Sequence, residues 1–234
     1  MTRTQQWLVA PNAAQLIPTA AAIVAAQIRA VVAARGTCRL ALAGGNTPAP
    51  LYALWAKGEA GFEVPFAQVT ALFGDERFVP HDHADSNYRS AREHLLSRVP
   101  ALGAVHPMTD GADDPDAAAR AYEAHLQDPI DVLLLGMGPD GHIASLFPHS
   151  PAFASPERLA LAVIGPKPPP QRITITPRVI AAARHVFVLV TGADKAEAVS
   201  QAMSATGVSE ALPATLVREA FWLLDAPAAS QLTR

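Results

Sequence analysis

The sequence predicts an α/β fold in which a mainly parallel sheet carries helices on both faces. Short apolar runs alternate with longer stretches of helical spacing along the 234 residues, and this alternation is typical of parallel strands joined by helical crossovers. Half of the residues are hydrophobic, which is enough for one sizeable core. We therefore expect a single domain over residues 1–234.

Seven short apolar runs are predicted strands. Most are too short for helices and too uniformly apolar for one-sided strands, as expected of parallel strands covered on both faces. The runs are 38–43, 69–73, 130–135, 159–164, 172–176, 185–190 and 220–224. The run RITIT at 172–176 alternates polar and apolar residues and also fits a smaller, antiparallel section.

The predicted helices lie between these strands. The first is a long, alanine-rich amphipathic helix over residues 12–34, whose apolar residues have helical spacing. Shorter helices are expected near 48–57, 87–97, 115–127, 177–183 and 193–203. Ser86 and Asn87 are candidate N-caps for the helix at 87–97.

Charge and cysteine content exclude several classes of protein. The chain has 18 basic and 21 acidic residues, a net charge of −3 and no basic block, which disfavours nucleic-acid binding. Cys38 is the single cysteine, so no internal disulfide can form and a reducing cytoplasm fits. We find no signal peptide and no uninterrupted apolar run of about 18 residues, and so expect a soluble cytoplasmic protein without membrane or nucleic-acid partners.

Ligands of open α/β sheets bind beyond the carboxyl ends of the strands, so the residues after each apolar run are site candidates. Gly44, Gly45, Asn46 and Thr47 follow the run at 38–43 and precede a predicted helix. Glycines let backbone N–H groups approach a ligand closely, and a helix N-terminus favours an anion. The loop predicts a phosphate site, with a tight strand-to-helix turn as the alternative.

Asp75, Glu76 and Arg77 directly follow the run at 69–73. Arg77 can grip a phosphate with paired donors. The two carboxylates can accept hydrogen bonds from sugar hydroxyls or orient other groups. A solvated charged turn is the alternative interpretation.

Two further cations are candidates for an anionic ligand. Lys195 lies in the first turn of the predicted helix at 193–203, where its charge opposes the helix dipole. It is therefore either simply exposed or retained to meet an anion. Arg172 begins the RITIT run, and a sheet-edge charge is an equally good interpretation of it.

The stretch GMGPDGHIASLFP at 136–148 contains the dinucleotide pattern G-x-G-x-x-G. A dinucleotide loop needs an acidic residue about 20 positions later at the end of a strand, but the next acid, Glu157, precedes an apolar run. Asp140 inside the loop would also repel a pyrophosphate. We therefore expect no cofactor, and interpret His142 as a candidate general base, because a neutral histidine can take a proton from water.

Two other kinds of chemistry are weaker hypotheses. His81, His83 and Asp85 could lie on one side of an extended segment, but no strand holds that geometry, so we expect no metal. Ser145 lacks the G-x-S-x-G elbow that exposes a serine nucleophile. We interpret this serine as structural.

Five motifs in this order give the chain a specific resemblance to a known family. They are AGGNTP, FGDERFVPHDHADSNYRSAREHLL, GMGPDGHIASLFP, KPPPQRITIT and TGADKAEAV. Between about residues 7 and 224 the chain resembles the 6-phosphogluconolactonases of the oxidative pentose phosphate pathway. The resemblance implies a Rossmann-like α/β fold related to glucosamine-6-phosphate deaminase, and metal-free hydrolysis of 6-phospho-D-glucono-1,5-lactone to 6-phospho-D-gluconate.

The resemblance also implies roles for individual residues. The family's catalytic histidine falls on His142, its glycine loop on Gly44 and Gly45, and its arginine on Arg77. Its phosphate-side cations correspond to Lys195 and Arg172. The loop departs from the family's usual S-G-G-S-T-P, because Ala43 and Asn46 replace the serines, so Thr47 and backbone amides would carry the phosphate contact.

Together these observations predict that His142 deprotonates a water that attacks the lactone carbonyl. Asp140, or one of the carboxylates of Asp75 and Glu76, would orient the imidazole. The partner is a small sugar-phosphate lactone, and we expect a monomer or a weak homo-oligomer.

Two rival functions remain open. Deaminases of the related family carry a glutamate shortly after the histidine, where this chain has SLFP at 145–148. A non-catalytic sugar-phosphate-binding protein would use the same pocket without hydrolysis.

Overall fold

A computed structural model describes residues 6–99, 101–110 and 112–232. Its strands are β1 (Gln6–Ala10), β2 (Cys38–Leu42), β3 (Val69–Phe73), β4 (Asp75–Arg77), β5 (Val132–Leu135), β6 (Ala160–Ile164), β7 (Gln171–Ile175), β8 (His185–Val190) and β9 (Phe221–Asp225). The main sheet has six parallel strands in the order β1-β9-β8-β5-β2-β3. The predicted fold class, a mainly parallel sheet with helices, is confirmed.

A second sheet is small and antiparallel, with the order β4-β7-β6. The prediction of an antiparallel section at RITIT is confirmed by β7. The strand predicted at 159–164 forms β6, which pairs antiparallel with β7 and therefore belongs to the small sheet. The uniform apolarity of that run reflects its packing against neighbouring elements and carries no information about strand direction.

The helices lie close to the predicted positions. They are α1 (Ala13–Arg35), α2 (Ala49–Lys57), α3 (Asn87–Ala91), α4 (Pro115–Tyr122), α5 (Pro177–Ala182) and α6 (Ala196–Ser204). The predicted helix at 87–97 continues after α3 as a π-helical turn, and a 3₁₀ turn precedes α6. Ser86 is the N-cap of α3, because its Oγ accepts a hydrogen bond from the backbone N–H of Arg89 at 3.1 Å, whereas Asn87 is already helical.

Helix α1 is long and apolar enough to span a membrane by length and composition alone, with a mean hydropathy of 1.8. Its sequence contains no uninterrupted apolar run of this length, because polar residues such as Gln15 and Thr19 lie within it. The helix packs against β1, β2 and β9, and Leu16, Val24 and Ile28 on that side are fully buried. Core packing therefore accounts for the hydropathy of this helix.

Buried polar groups of α2 hold the loop between β2 and α2 in place. The hydroxyl of Tyr52 donates a hydrogen bond to the carbonyl oxygen of Ala43 at 2.8 Å, and the indole N–H of Trp55 donates to Ala21 at 2.9 Å. Burial raises the pKa of Tyr52 far above its ordinary value, so the hydroxyl remains a donor. The chain is thus fixed at Ala43, immediately before the glycine pair.

Candidate active site

A cavity of about 240 Å³ opens at the carboxyl ends of four adjacent strands, β8, β5, β2 and β3. This is the edge at which open α/β sheets bind ligands. Its lining comprises Ala43, Gly44, Gly45, Thr47, Pro48, Gly74, Asp75, Arg77, Asn87, Leu135, Gly136, Met137, Gly138, His142, Ala144, Arg172, Leu189, Val190, Thr191 and Lys195. The structure therefore brings together residues as far apart in the sequence as Ala43 and Lys195.

Eight of the eleven predicted site residues line this cavity, namely Gly44, Gly45, Thr47, Asp75, Arg77, His142, Arg172 and Lys195. Asp140 lies behind His142. Asn46 is exposed and faces a neighbouring surface depression with Arg77 and Arg89. Glu76 is buried away from the cavity.

The glycine loop follows β2 and begins the turn into α2. Gly45 has φ +85°, a left-handed conformation that favours glycine. A Cβ atom at Gly44 would lie 2.1 Å from Oδ1 of Asn87. Glycine at this position therefore lets α3 approach the loop and brings Asn87 to the cavity wall.

The small antiparallel sheet positions the polar wall of the cavity. Asp75 pairs with Thr174 across β4 and β7, and Arg77 pairs with Arg172. Cross-strand partners lie on one face of a sheet, and alternate residues of a strand share that face. Asp75, Arg77 and Arg172 accordingly all line the cavity, and Glu76 points to the opposite face.

The carboxylate of Glu76 satisfies the backbone at the start of α3. Its Oε1 accepts hydrogen bonds from the backbone N–H groups of Arg77 and Asn87 at 2.8 and 2.7 Å, and its Oε2 accepts from Tyr88 N–H at 2.7 Å. The Ser86 hydroxyl donates to Oε2 as well. Burial raises the pKa of Glu76 to about 7, although these N–H groups act to lower it. This side chain supports the fold of the site and does not reach the cavity.

Replacement of Glu76 by alanine is therefore expected to destabilise the protein without a direct loss of a ligand contact. Three backbone N–H groups and one hydroxyl would lose their acceptor, for an expected decrease of about 2–4 kcal/mol in the free energy of unfolding. Denaturant unfolding of the wild type and the variant measures the decrease. A variant of wild-type stability would contradict this role.

The two arginines place two positive charges side by side at the cavity. The Nη1 of Arg77 donates to the carbonyl oxygen of Asp85 at 2.5 Å, and the Nε of Arg172 donates to the carbonyl oxygen of Pro169 at 2.8 Å. Neither guanidinium forms an ion pair with a carboxylate in the part of the chain that the structure describes. Burial and the neighbouring Arg77 lower the pKa of Arg172. The pair can therefore bind an anion with its uncompensated charge.

Lys195 brings a third cation from the opposite side, after β8. Its ammonium group pairs with Asp194, and its side chain is 19% exposed. The cavity thus has cations from β4, β7 and the turn that precedes α6. These cations converge on one cavity although the net charge of the protein is −3, so an anion would be attracted there by local charge.

His142 is held in a fixed orientation at the cavity. Its Nδ1 lies 2.5 Å from Oδ1 of Asp140, and the same oxygen accepts a hydrogen bond from the His142 backbone N–H at 3.3 Å. The hydrogen bond to His142 lowers the pKa of Asp140, so this carboxylate is ionised at neutral pH. The Phe147 ring packs against the imidazole with centroids 4.7 Å apart. The other ring nitrogen, Nε2, has no hydrogen-bond partner among the residues that the structure describes, and the imidazole lines the cavity.

The glycines of the 136–148 loop make this orientation possible. A Cβ at Gly138 would lie 2.1 Å from the His142 ring, and one at Gly141 would lie 2.2 Å from Cδ1 of Leu212. Gly141 also has φ +74°, which favours glycine. The pattern G-x-G-x-x-G in this loop therefore accommodates a histidine and an apolar side chain.

The Gly138→Ala variant is expected to lower kcat for the lactone hydrolysis that the resemblance implies by about 10- to 100-fold. The added methyl group would displace the imidazole of His142 by an ångström or more. Steady-state kinetics of the purified variant measures the loss. Far-UV circular dichroism and the thermal midpoint provide the folding control. Wild-type kcat in this variant would show that the imidazole position is unimportant or that the loop adapts.

Asn87 is the polar cavity residue that sequence reasoning assigned only to helix capping. Its Nδ2 donates to the backbone oxygen and to Oδ1 of Asp75 at 2.9 and 3.2 Å. No local pattern identifies it, because its place depends on the packing of α3 against the glycine loop. In a strand, Glu76 points to the face opposite Asp75 and Arg77. The sequence patterns did not predict this difference because they did not predict β4.

The histidines of the HDHAD segment do not converge. The Nε2 of His81 lies 3.0 Å from the Thr109 hydroxyl, whereas His83 approaches Asp85, with its Nδ1 3.6 Å from Oδ2. No group of three or more His, Cys, Asp or Glu side chains that could hold a metal ion occurs among residues 6–99, 101–110 and 112–232.

A parallel sheet with a cationic, histidine-containing cavity at its carboxyl edge is the arrangement of an α/β enzyme that acts on a phosphorylated small molecule. The chain belongs to the family of glucosamine-6-phosphate isomerases and 6-phosphogluconolactonases, whose sequence profile matches residues 11–223. This membership agrees with the resemblance carried by the five sequence motifs.

Individual relatives are similar over nearly the whole chain. The chain is 42% identical to 6-phosphogluconolactonase from Mycobacterium bovis, over 95% of this chain and 96% of the relative. It is 40% identical to 6-phosphogluconolactonase from Streptomyces coelicolor, over 100% and 97% of the two chains. The solved structure of 6-phosphogluconolactonase from Trypanosoma brucei superimposes with a TM-score of 0.83 at 30% identity, over 99% of this chain and 100% of that one.

Proposed function

We propose that the protein hydrolyses 6-phospho-D-glucono-1,5-lactone to 6-phospho-D-gluconate, with His142 as the general base. The observation that carries the proposal is the 2.5 Å contact between His142 and Asp140 in a cavity shared with Arg77, Arg172 and Lys195. The names of the relatives from M. bovis, S. coelicolor and T. brucei support the substrate. The reaction is a step of the oxidative pentose phosphate pathway.

Substrate recognition rests on the cations and the glycine loop. The phosphate dianion is bound by Arg77, Arg172 and Lys195, and by the backbone amides and hydroxyl of the Gly44–Thr47 loop. Asp75 accepts a hydrogen bond from a sugar hydroxyl. Asn46 and Glu76 have no direct contact with the substrate in this proposal, because one faces outward and the other is buried behind β4.

The Asp140 carboxylate prepares the imidazole for catalysis. It accepts a hydrogen bond from Nδ1–H, which fixes the neutral tautomer with a lone pair on Nε2. This nitrogen takes a proton from water as the water oxygen bonds to the lactone carbonyl carbon. The resulting imidazolium is stabilised by the ionised Asp140, as in other histidine–carboxylate pairs.

Collapse of the tetrahedral intermediate then opens the lactone ring. The bond between the carbonyl carbon and the ring oxygen breaks, and the imidazolium returns its proton to that oxygen. One water is consumed, and the product is a carboxylic acid that ionises. Histidine-assisted proton transfer of this kind contributes about 10²–10⁴-fold to the rate.

The proposal is tested by following acid release from freshly generated lactone in a pH-stat, against the spontaneous rate. We expect rapid hydrolysis of 6-phosphogluconolactone and much slower hydrolysis of unphosphorylated gluconolactone, the matched control for the phosphate site. Absence of hydrolysis above the spontaneous rate, together with binding of 6-phosphogluconate, would instead support a non-catalytic sugar-phosphate-binding protein.

A deaminase or isomerase of the same family is the second candidate. Its disadvantage is the lack of the glutamate that the related deaminases carry shortly after the histidine, since residues 145–148 are SLFP and the ring of Phe147 packs on the imidazole. Incubation with glucosamine 6-phosphate and an ammonia assay distinguishes the two activities. Ammonia release at an enzymatic rate would favour the deaminase.

We also propose that one chain suffices for activity, as a monomer or in a weak homo-oligomer, in the cytoplasm. The thiol of Cys38 is fully buried and unpaired, and burial raises its pKa to about 12. A reducing compartment suits such a thiol.

A further inference from the structure

Ser145 is a fully buried serine that connects the His142 loop with the small antiparallel sheet. Its hydroxyl donates a hydrogen bond to Oδ2 of Asp75 at 2.6 Å, and its backbone N–H donates to the Thr174 hydroxyl at 3.2 Å. Asp75 and Thr174 are cross-strand partners on β4 and β7. One residue thus contacts both members of that pair.

The hydrogen bond from Ser145 fixes a carboxylate that faces the cavity. Asp75 lines the cavity, and its other oxygen, Oδ1, accepts a hydrogen bond from Asn87 at 3.2 Å. Each carboxylate oxygen therefore has a protein donor from a different element. A carboxylate that accepts a hydrogen bond at each oxygen is held in one orientation, and so are its remaining lone pairs. Such a fixed orientation preorganises the carboxylate to bind a hydroxyl group.

The backbone next to Ser145 is strained. Ala144 has φ +49°, a left-handed conformation that is unfavourable for alanine and persists where the surroundings hold it. The strained residue lies between His142 and Ser145 and also lines the cavity. The hydrogen bonds of Ser145 therefore hold in place the end of the loop that carries the imidazole.

We propose that Ser145 is a positioning residue, which aims the Asp75 carboxylate at a sugar hydroxyl and keeps the His142 loop in register with the arginine-bearing strands. Ser145 itself contacts no substrate, because its side chain is buried behind Asp75. The inference rests on the proposed lactone hydrolysis. In the sequence analysis Ser145 was interpreted as structural, because the G-x-S-x-G elbow of serine hydrolases is absent. The proposal gives this serine a role in positioning Asp75.

A double-mutant cycle tests whether Ser145 acts through Asp75. Removal of the Ser145 hydroxyl in Ser145→Ala is expected to lower kcat/KM for 6-phosphogluconolactone by about tenfold. In the Asp75→Ala background the same change is expected to lower kcat/KM by less than about twofold, because no carboxylate remains to be aimed. Equal losses in the two backgrounds would overturn the proposal.

A matched control separates positioning from a general effect of removing a buried hydroxyl. Ser150 is also buried, and its Oγ accepts a hydrogen bond from the Ala152 backbone N–H at 3.4 Å, outside the cavity. Ser150→Ala is expected to keep wild-type kcat/KM. Denaturant unfolding of all variants reports stability separately, and a Ser145→Ala variant with reduced stability but wild-type kcat/KM would contradict a positioning role.

Two further measurements keep the outcome decisive. If Ser145→Ala does not fold, Ser145→Cys replaces it in the cycle, since its weaker S–H donor should give a smaller loss that again disappears without Asp75. Wild-type activity is measured in parallel. Absence of wild-type hydrolysis would refute the proposed function, whereas wild-type hydrolysis with unchanged kcat/KM in Ser145→Ala would refute this inference alone.

Discussion

The His142→Asn variant is expected to lose about 10²–10⁴-fold in kcat, with a KM within a few-fold of the wild type. Asparagine retains a polar side chain of similar reach, but it cannot take a proton from water. The arginines and the glycine loop are unchanged in the variant, so binding of the phosphate should persist. The measurement is the rate of acid release at saturating lactone, corrected for spontaneous hydrolysis.

His149→Asn is the matched control for this variant. His149 lies in the same region of the chain, but it is exposed and outside the cavity. Its φ of +60° is a conformation that asparagine adopts readily. We expect wild-type kcat in this control, and near-normal kcat in a folded His142→Asn variant would remove His142 from the mechanism.

Local patterns predicted most of the fold because most of the strands and helices have a sequence signal of their own. The apolar runs at 38–43 and 69–73 became β2 and β3 with bounds that differ by at most one residue. The direction of β6 could not be predicted in this way, since an apolar run such as ALAVI at 160–164 occurs in parallel and in antiparallel strands alike. β4 was missed because three charged residues give no hydrophobic alternation.

The sequence predicted those site residues whose position depends only on the loop that contains them. The glycines at 44 and 45 lie just after β2 and the histidine at 142 lies in the loop after β5, and the carboxyl edge of the sheet brings them together. Asp140 emerges from the structure as the carboxylate in contact with the imidazole, which the sequence left open among three acids. Glu76, Asn87 and Ser145 depend on contacts between distant elements, and no local spacing encodes such contacts.

The Arg77→Ala variant is expected to raise KM by about 10- to 100-fold with a much smaller change in kcat. A hydrogen bond to a charged group contributes about 1.5–3 kcal/mol, which corresponds to roughly that range in affinity. Arg77 lies opposite Arg172 on the neighbouring strand, and its buried Nε has no hydrogen-bond partner within the described residues. A phosphate in the cavity would supply the negative charge that the guanidinium lacks among the described residues.

Folding should suffer little from this change, because removal of Arg77 relieves the repulsion that lowers the pKa of Arg172. Arg178→Ala is the matched control, since Arg178 is exposed and pairs only loosely with Glu157, with 3.8 Å between Nη1 and Oε2. Calorimetric titration with 6-phosphogluconate at two salt concentrations gives the affinity and its electrostatic component. Equal affinities of wild type and Arg77→Ala would exclude Arg77 from phosphate binding, and an equal loss in Arg178→Ala would indicate a long-range charge effect instead of a direct contact.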